Sequence, residues 1–439
     1  MMISGGRKNI DWISDFIMPD SKKELKKNII LFLIMCMICL LILEIFVRVE
    51  GTYDSYGDFN FQGHQIRPYT LPDKSIENDI ADYDKVEKPF FIYDQFLGWT
   101  INPNYSGNNN GSHNESSDYY VSNSIGIRSN KEFDLKKLPG VIRIALFGDS
   151  FIYSYETPEN QSIAYFLQNK LSKDFNVEVM NFGGPGYGND QAYLRWKLVG
   201  KNYTPDIVII GFQPENNMRN SVIIFRLYHR PSKQIFSKPR FYLENTSLKL
   251  LNYPTMPYHE IPEFLRNYET SELSKFEYFY NPDDYNTNIL FKSKAIAVLS
   301  EYLRYSEKNK DLQSFYDLKS NESILSYKII STFYEEASKD SKVYILHIPL
   351  SEKMHSTGGL ESRSKGKDYF YGQFLSKLEE HFDMINPDME LIKEAQNTSF
   401  ESLFVEHYSN KSNYIIANKI YDQIYPQMEL IQKQSLEKR

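Results

Sequence analysis

The chain has 439 residues, of which 41% are hydrophobic and 24% charged, a composition typical of a packed globular protein with room for more than one domain. The formal net charge of −7 argues against a nucleic-acid-binding protein. Both cysteines, Cys36 and Cys39, lie in one apolar N-terminal segment, so the rest of the chain has neither a disulfide nor a thiol for chemistry. The eight histidines are scattered without the spacing of a metal site, and we expect no metal and no other cofactor.

An apolar run, 29–47, predicts a membrane-spanning helix, because at about 1.5 Å per residue it nearly matches a hydrocarbon core of about 30 Å. Four lysines lie just before the run and only Arg48 follows closely, which predicts a cytoplasmic segment at 1–28 and the body of the chain outside. A cleaved signal peptide is the alternative, but the exit FVRVEGTY has no small-x-small cleavage site. Glu44, the one acid in the run, is expected in the interfacial zone. We therefore expect a single-pass protein of a bacterial inner membrane, with bilayer lipid as a partner.

A polar and aromatic lead-in region, 48–140, has no sustained periodicity, and regular structure begins after it. Apolar segments of strand length then alternate with segments whose apolar residues recur at helical spacing. Strands are predicted at 141–147, 177–182, 205–212 and 342–349. Helices are predicted at 160–173, 190–202, 323–338, 369–381 and about 412–424. This alternation predicts one α/β domain over 141–430, with helices on both faces of a mainly parallel sheet.

One stretch of this domain, 221–320, does not follow the alternation. It is rich in Tyr, Pro and Lys, and helices are expected near 261–273 and 292–307. We interpret it as an insertion.

Candidate site residues follow the predicted strands, because ligands of open α/β sheets bind beyond the carboxyl ends of the strands. Ser150 follows the first strand in the sequence FGDSF, and Gly186 follows the second in NFGGPGYG. Asn216 follows the third strand, and His407 comes shortly before the last helix. These residue types suit acyl transfer, which needs a hydroxyl nucleophile, a base near neutral pH and donors for an oxyanion.

The four blocks resemble, in the same order, the Ser, Gly, Asn and His blocks of the SGNH/GDSL hydrolase family. The resemblance covers about 141–220 and 340–425, and it implies a flavodoxin-like three-layer α/β/α fold. It also implies Ser150 as the nucleophile and His407 as the base. The oxyanion hole would then consist of the Ser150 N–H, Gly186 and Asn216.

The chain departs from the family pattern at two points. The family's aspartate stands two or three residues before the histidine, where this chain has Val405 and Phe404. We therefore expect that an irregular loop turns Glu406 toward the ring, that another acid such as Glu401 orients it, or that the site is a Ser-His dyad. Glu215 replaces the family's glycine before Asn216, which predicts a narrower or charged oxyanion side.

Other interpretations of single residues stay open at this level. His347 also lies near the carboxyl end of a strand and competes with His407 as the base, although the His407 block fits better. Ser150 alone would also fit a simple helix cap.

The resemblance and the predicted anchor together predict a membrane-anchored serine ester hydrolase that acts on O-acyl esters of an envelope glycan or a lipid. One alternative is an O-acyltransferase that uses the same residues to modify an envelope polysaccharide. The other is a non-catalytic envelope-binding or scaffold protein, which the missing aspartate and Glu215 suggest. The sequence leaves the oligomeric state open.

Overall fold

A computed structural model of the chain describes residues 11–107, 119–285, 289–352 and 358–437, without the side chains of 11–22, 289, 304–312 and 436. The chain forms two compact units. Unit 1 comprises 1–75 and 282–305, and unit 2 comprises 76–281 and 306–439.

The described strands are β1 (Thr52–Tyr53), β2 (Phe59–Phe61), β3 (His64–Ile66), β4 (Phe91–Asp94), β5 (Gly98–Ile101), β6 (Ser106–Gly107), β7 (Tyr120–Val121), β8 (Ile142–Phe147), β9 (Val177–Asn181), β10 (Ile207–Phe212), β11 (Arg240–Glu244), β12 (Ser247–Leu251), β13 (Lys342–His347) and β14 (Met384–Ile385). The described α-helices are α1 (Asp11–Glu50), α2 (Ile76–Asp84), α3 (Ser150–Tyr153), α4 (Ile163–Leu171), α5 (Asn189–Leu198), α6 (Asn216–Arg219), α7 (Phe225–Tyr228), α8 (Ile261–Arg266), α9 (Pro282–Tyr285), α10 (Lys294–Asp311), α11 (Asn321–Ala337), α12 (Leu360–Ser364), α13 (Gly372–His381), α14 (Asp388–Asn397) and α15 (Asn410–Glu437).

Unit 1 contains α1, the small antiparallel sheet β1–β2–β3 and most of α10. Residues 23–50 of α1 have a mean hydropathy of 3.2 in their most apolar window, and no part of that window is buried. By length and composition this helix is a candidate membrane span. A small apolar core follows the exposed part of α1 and contains Val47, Phe59, Ile66, Ala295 and Ala297.

Unit 2 is built on a five-stranded parallel sheet in the order β9–β8–β10–β13–β14. Numbered along the chain, these strands lie in the flavodoxin-like order 2-1-3-4-5. Because side chains alternate along a strand, β8 directs Ile142, Ile144 and Leu146 to one core cluster and Ala145 and Phe147 to the other. Helices α4, α14 and α15 pack in the first cluster, whereas α5, α11 and α13 pack in the second. The predicted three-layer α/β/α fold with a parallel sheet is confirmed.

The structure adds elements that the periodicity did not predict. A fifth strand, β14, pairs with β13 and leads into α14. Hairpin β4–β5 and the antiparallel strand pair β6–β7 lie within the lead-in region, and hairpin β11–β12 lies within 221–320. Part of that predicted insertion, 282–305, packs with residues 1–75 in unit 1.

Candidate active site

Ser150 begins helix α3 directly after strand β8, at the carboxyl edge of the sheet. The turn between them is tight, because a Cβ on Gly148 would lie 2.6 Å from Cγ1 of Ile152. Asp149 caps the helix, and its carboxylate accepts the Phe151 N–H at 2.9 Å. Since the first N–H groups of a helix have no partner within the helix, the Ser150 N–H remains a donor for a ligand.

His407 lies beside this serine, although 257 residues separate them in the chain. The distance from His407 Nε2 to Ser150 Oγ is 2.8 Å. The rings of Phe151 and Tyr155 pack against the imidazole with centroid distances of 4.9 and 5.4 Å. The ring is therefore held with one nitrogen directed at the hydroxyl.

Glu156 occupies the other side of the imidazole. Its Oε2 lies 3.4 Å from His407 Nδ1, an ion-pair distance longer than a well-formed hydrogen bond. The same oxygen accepts the backbone N–H of Glu406 at 3.0 Å and of His407 at 2.9 Å. Catalytic hydrogen bonds are often long without substrate and tighten in the complex. Glu156 is thus positioned to orient the ring, a role that the sequence did not predict for it.

The charge of Glu156 is stabilised by the His407 loop. Burial raises the pKa of its carboxyl, but the contacts with the His407 side chain and backbone and with the Glu406 N–H lower this pKa to about 2. The carboxyl is therefore ionised at neutral pH and favours the tautomer that carries its proton on Nδ1.

A buried arginine shapes the loop that presents Glu156. Arg128 donates to the carbonyls of Tyr153 and Ser154 at 2.7 Å each, and also to the carbonyl of Thr157. Glu156 itself has a left-handed backbone with φ of +65°, and its N–H donates to Tyr120 Oη at 2.9 Å. These contacts hold an unfavourable backbone conformation close to Ser150.

The two acids predicted from the sequence lie elsewhere. The Glu406 side chain is exposed, and its hydrogen bond and charge repulsion with Glu156 raise the pKa of its carboxyl. The Glu406 carboxyl interacts with that of Glu156, and it is Glu156 that lies beside His407 Nδ1. Glu401 begins a short 3-10 turn, Glu401–Leu403, ahead of the His407 loop.

Asn216 begins helix α6 after strand β10 and is completely buried. Arg219 Nη1 donates to its Oδ1 at 3.3 Å, and because guanidinium groups only donate, this contact fixes which amide atom is oxygen. The Nδ2 group has no acceptor among the described residues. A buried amide donor without a partner suits an anion that forms during a reaction.

Arg219 links this residue to the serine loop. It lies 3.3 Å from the buried carboxylate of Asp149 and 2.8 Å from that of Glu215. Burial raises the pKa of Asp149, and the charge of Arg219 and the Phe151 N–H oppose that effect. The charge that Glu215 introduces in place of glycine is therefore paired with a cation.

The glycine loop packs against the same turn. The Gly184 N–H donates to Gly148 O at 2.9 Å, and the Tyr187 N–H closes a turn onto Gly184 O at 3.0 Å. Gly186 stands in this turn with φ of +81°, where a Cβ would also lie 3.2 Å from the Trp99 ring. Glycine fits this position because it adopts positive φ without strain.

His347, the competing base, lies in a different environment. It is completely buried, with Nε2 at 3.0 Å from Tyr371 Oη and Nδ1 at 3.1 Å from Asp388 Oδ1. Both ring nitrogens therefore have partners away from Ser150.

No protein-family profile and no curated protein sequence matches this chain. Among solved structures, a member of the lipolytic protein G-D-S-L family from Veillonella parvula is 12% identical, with a TM-score of 0.33 over 64% of this chain and 97% of that chain. A lipase/acylhydrolase from Enterococcus faecalis is 11% identical, with a TM-score of 0.33 over 65% and 96%. The psychrotrophic esterase EstA from Pseudoalteromonas sp. is 12% identical, with a TM-score of 0.32 over 65% and 98%.

The sheet order and the positions of the four blocks at its carboxyl edge agree with the resemblance that the sequence indicates. The chain has a flavodoxin-like three-layer α/β/α fold, which is the fold that this resemblance implies. The acid beside the His407 ring, Glu156, comes from the loop after Ser150 and not from the loop that carries His407.

Beside the candidate active site lies a cavity of about 380 Å³. It is lined by Glu215, Ser351, Glu361, Phe400, Glu401, Phe404, Val405 and Glu406. Its charged lining residues are all carboxylates, and its remaining surface is largely apolar. A larger cleft of about 1020 Å³ lies around α13 and includes neither Ser150 nor His407 in its lining.

Proposed function

We propose that this protein is a serine ester hydrolase that works through an acyl-enzyme. The observation that carries the proposal is the 2.8 Å distance between Ser150 Oγ and His407 Nε2, with Glu156 on the opposite side of the ring. A nucleophile, a base and an orienting acid in this arrangement form the constellation of serine hydrolases.

In the first half of the proposed reaction, Ser150 Oγ attacks the ester carbonyl while His407 Nε2 takes the hydroxyl proton. The resulting oxyanion accepts hydrogen bonds from the Ser150 N–H, the Gly186 N–H and the Asn216 amide. The tetrahedral intermediate then collapses, the ester C–O bond breaks, and His407 protonates the leaving alcohol.

In the second half, water attacks the acyl group on Ser150, and His407 takes a proton from that water. Collapse of the second intermediate releases the carboxylic acid and returns the proton to Ser150 Oγ. Glu156 remains ionised throughout and stabilises the imidazolium that forms twice in each cycle.

The substrate that we propose is an O-acyl ester of an envelope glycan or a lipid, and the site of action is the outer side of a bacterial inner membrane. The candidate span in α1 supports this location, and the lysines that precede it support a cytoplasmic N-terminus. The apolar surface of the cavity beside the site suits an acyl chain, and its carboxylates disfavour anionic substrates.

The purified full-length chain tests the proposal directly. With a short-chain 4-nitrophenyl ester we expect turnover, and a fluorophosphonate should label one tryptic peptide, the one containing Ser150. Labelling at another serine, or hydrolysis that continues after complete labelling of Ser150, would contradict it. If acyl groups are transferred to an added acceptor glycan faster than they are hydrolysed by water, the second half-reaction is acyl transfer.

Replacing Asn216 with Ala is expected to lower kcat by about 10²–10³-fold with little change in KM, because the lost donor acts on the oxyanion of the transition state. Steady-state kinetics on the short-chain ester measures this loss. Asn202→Ala is the matched control, since Asn202 is an exposed asparagine whose side-chain amide donates to the Leu198 carbonyl. If the Asn216→Ala variant has the unfolding temperature of the parent and also keeps the parent kcat, Asn216 is not part of the oxyanion hole.

A further inference from the structure

The single acid of the apolar run has a structural role at the start of helix α10. Glu44 Oε2 accepts the Ser293 hydroxyl at 2.8 Å and the Ala295 N–H at 2.9 Å. Glu44 Oε1 accepts the Lys294 N–H at 3.1 Å. These N–H groups open the helix, so a carboxylate of α1 caps the N-terminus of α10.

Two further features fix α10 to the same end of α1. Arg48 donates to the Lys292 carbonyl at 2.8 Å and pairs with Glu44 at 2.5 Å. At the start of α10, Ala295 and Ala297 are buried in the cluster that contains Val47. The rotation of α10 about its axis is therefore fixed, as is the position of its first turn.

Beyond this first turn, one face of α10 is apolar and exposed among the described side chains. Leu299, Tyr302 and Leu303 are 58%, 81% and 69% exposed, and their i, i+3, i+4 spacing places them on one face of the helix. With a rise of about 1.5 Å per residue, Leu303 lies within about 14 Å of the turn that Glu44 caps. Exposed large apolar side chains grouped in this way mark a contact surface.

We propose that this face of α10 lies in the headgroup region of the membrane that α1 crosses, so that unit 1 contacts lipid at a second place. The inference rests on the proposed membrane anchor. We choose lipid as the partner of this face because Glu44 holds the start of α10 at the level of the bilayer surface. Glu44 is the residue at which the apolar run is interrupted. Tyrosine and leucine on one face of a surface helix suit that boundary, and the neighbouring exposed Lys292 suits anionic headgroups.

The length of the span supports the same position. The uninterrupted apolar stretch before Glu44 is 29–43, which rises about 22 Å as a helix. A hydrocarbon core of about 30 Å is thicker than that. A short span is accommodated by thinning of the bilayer and by drawing its flanking residues to the surface. Both effects bring the capped end of α10 toward the headgroups.

Fluorescence quenching in proteoliposomes tests the proposal on the full-length chain. In a Cys36→Ser, Cys39→Ser background, single cysteines Tyr302→Cys and Leu303→Cys carry the fluorophore NBD. The vesicles contain phosphatidylethanolamine and phosphatidylglycerol, with lipids doxyl-labelled near the headgroup or deep in the chain. We expect the shallow quencher to reduce emission at both positions at least about twofold more than the deep quencher.

Ser300→Cys is the matched control, because Ser300 lies on the same helix but lines a small cavity with Arg67 and Pro68. Its NBD emission should respond little to either quencher. A second reporter, Leu40→Cys, lies within the proposed span and should be quenched most by the deep label. Quenching at Leu40 without quenching at 302 and 303 would overturn the lipid contact and leave the anchor intact. No quenching at Leu40 would overturn the anchor and, with it, this inference.

Discussion

Ser150→Ala is expected to lower kcat for a short acyl ester by about 10⁴-fold or more while KM changes little. The variant loses the oxygen that lies 2.8 Å from His407 Nε2, so no acyl-enzyme can form. The residual rate would come from the oxyanion donors and from binding alone. Steady-state kinetics with active-site titration measures the effect, and fluorophosphonate labelling should disappear in parallel.

Ser172→Ala is the matched control for this variant, because Ser172 is an exposed serine whose hydroxyl bonds locally to the Gln168 carbonyl. It should keep the parent kcat and the parent labelling. Hydrolysis by Ser150→Ala at the parent rate would end the esterase proposal and would favour the non-catalytic envelope-binding alternative.

Glu156→Gln is expected to lower kcat by about 10⁴-fold with the fold retained. An amide beside Nδ1 carries no charge and no longer stabilises the imidazolium. Its NH₂ group also favours the tautomer that carries the proton on Nε2, and in that tautomer Nε2 cannot accept the proton of Ser150. Kinetics on the short-chain ester measures the loss, and proton NMR should show that the Nδ1 proton resonance shifts or disappears. Such a signal distinguishes a positioning role from a merely structural one.

Glu406→Gln provides the contrast, since Glu406 is the acid that the sequence alone places next to the histidine. Its exposed side chain faces Glu156, and we expect a change in kcat of no more than about threefold. If Glu406→Gln is the inactive variant and Glu156→Gln the active one, the assignment of the orienting acid is reversed.

The pH dependence of stability is a further readout of the Glu156 substitution. The folded state lowers the pKa of Glu156 from 4.5 to about 2, so the unfolded state binds the proton more tightly. The ionised Glu156 carboxylate therefore contributes its full stabilisation of the folded state above about pH 4.5, and this contribution is lost as the pH falls toward 2. The Gln variant should lack this part of the acid unfolding curve, which urea titrations at several pH values measure.

Much of the unit 2 fold could be predicted because its strands are apolar runs and its helices have one apolar face. The predicted strand at 141–147 corresponds to β8, and the predicted helix at 323–338 corresponds to α11. Strand β14 escaped prediction because it is only two residues long and its pairing with β13 is a long-range contact. Local periodicity carries no information about such a strand.

The candidate site could likewise be predicted only in part. Ser150 and His407 follow from short motifs at the edge of the sheet, and the structure brings their side chains together. Glu156 could not be identified because its position depends on a left-handed backbone and on bonds from Arg128 and Tyr120. Those contacts come from the lead-in region, which has no periodicity of its own. The signal available was an acid six residues after the nucleophile, on the same loop.

Ser150 and Glu156 are synthesised almost together, but the imidazole that would activate the serine follows 257 residues later. During translation, a nascent chain therefore contains a serine hydroxyl that still lacks its proposed base. A product truncated by premature termination would be equally inert toward esters. Under the proposed mechanism, hydrolytic activity would arise only once the C-terminal part of unit 2 has folded onto the sheet.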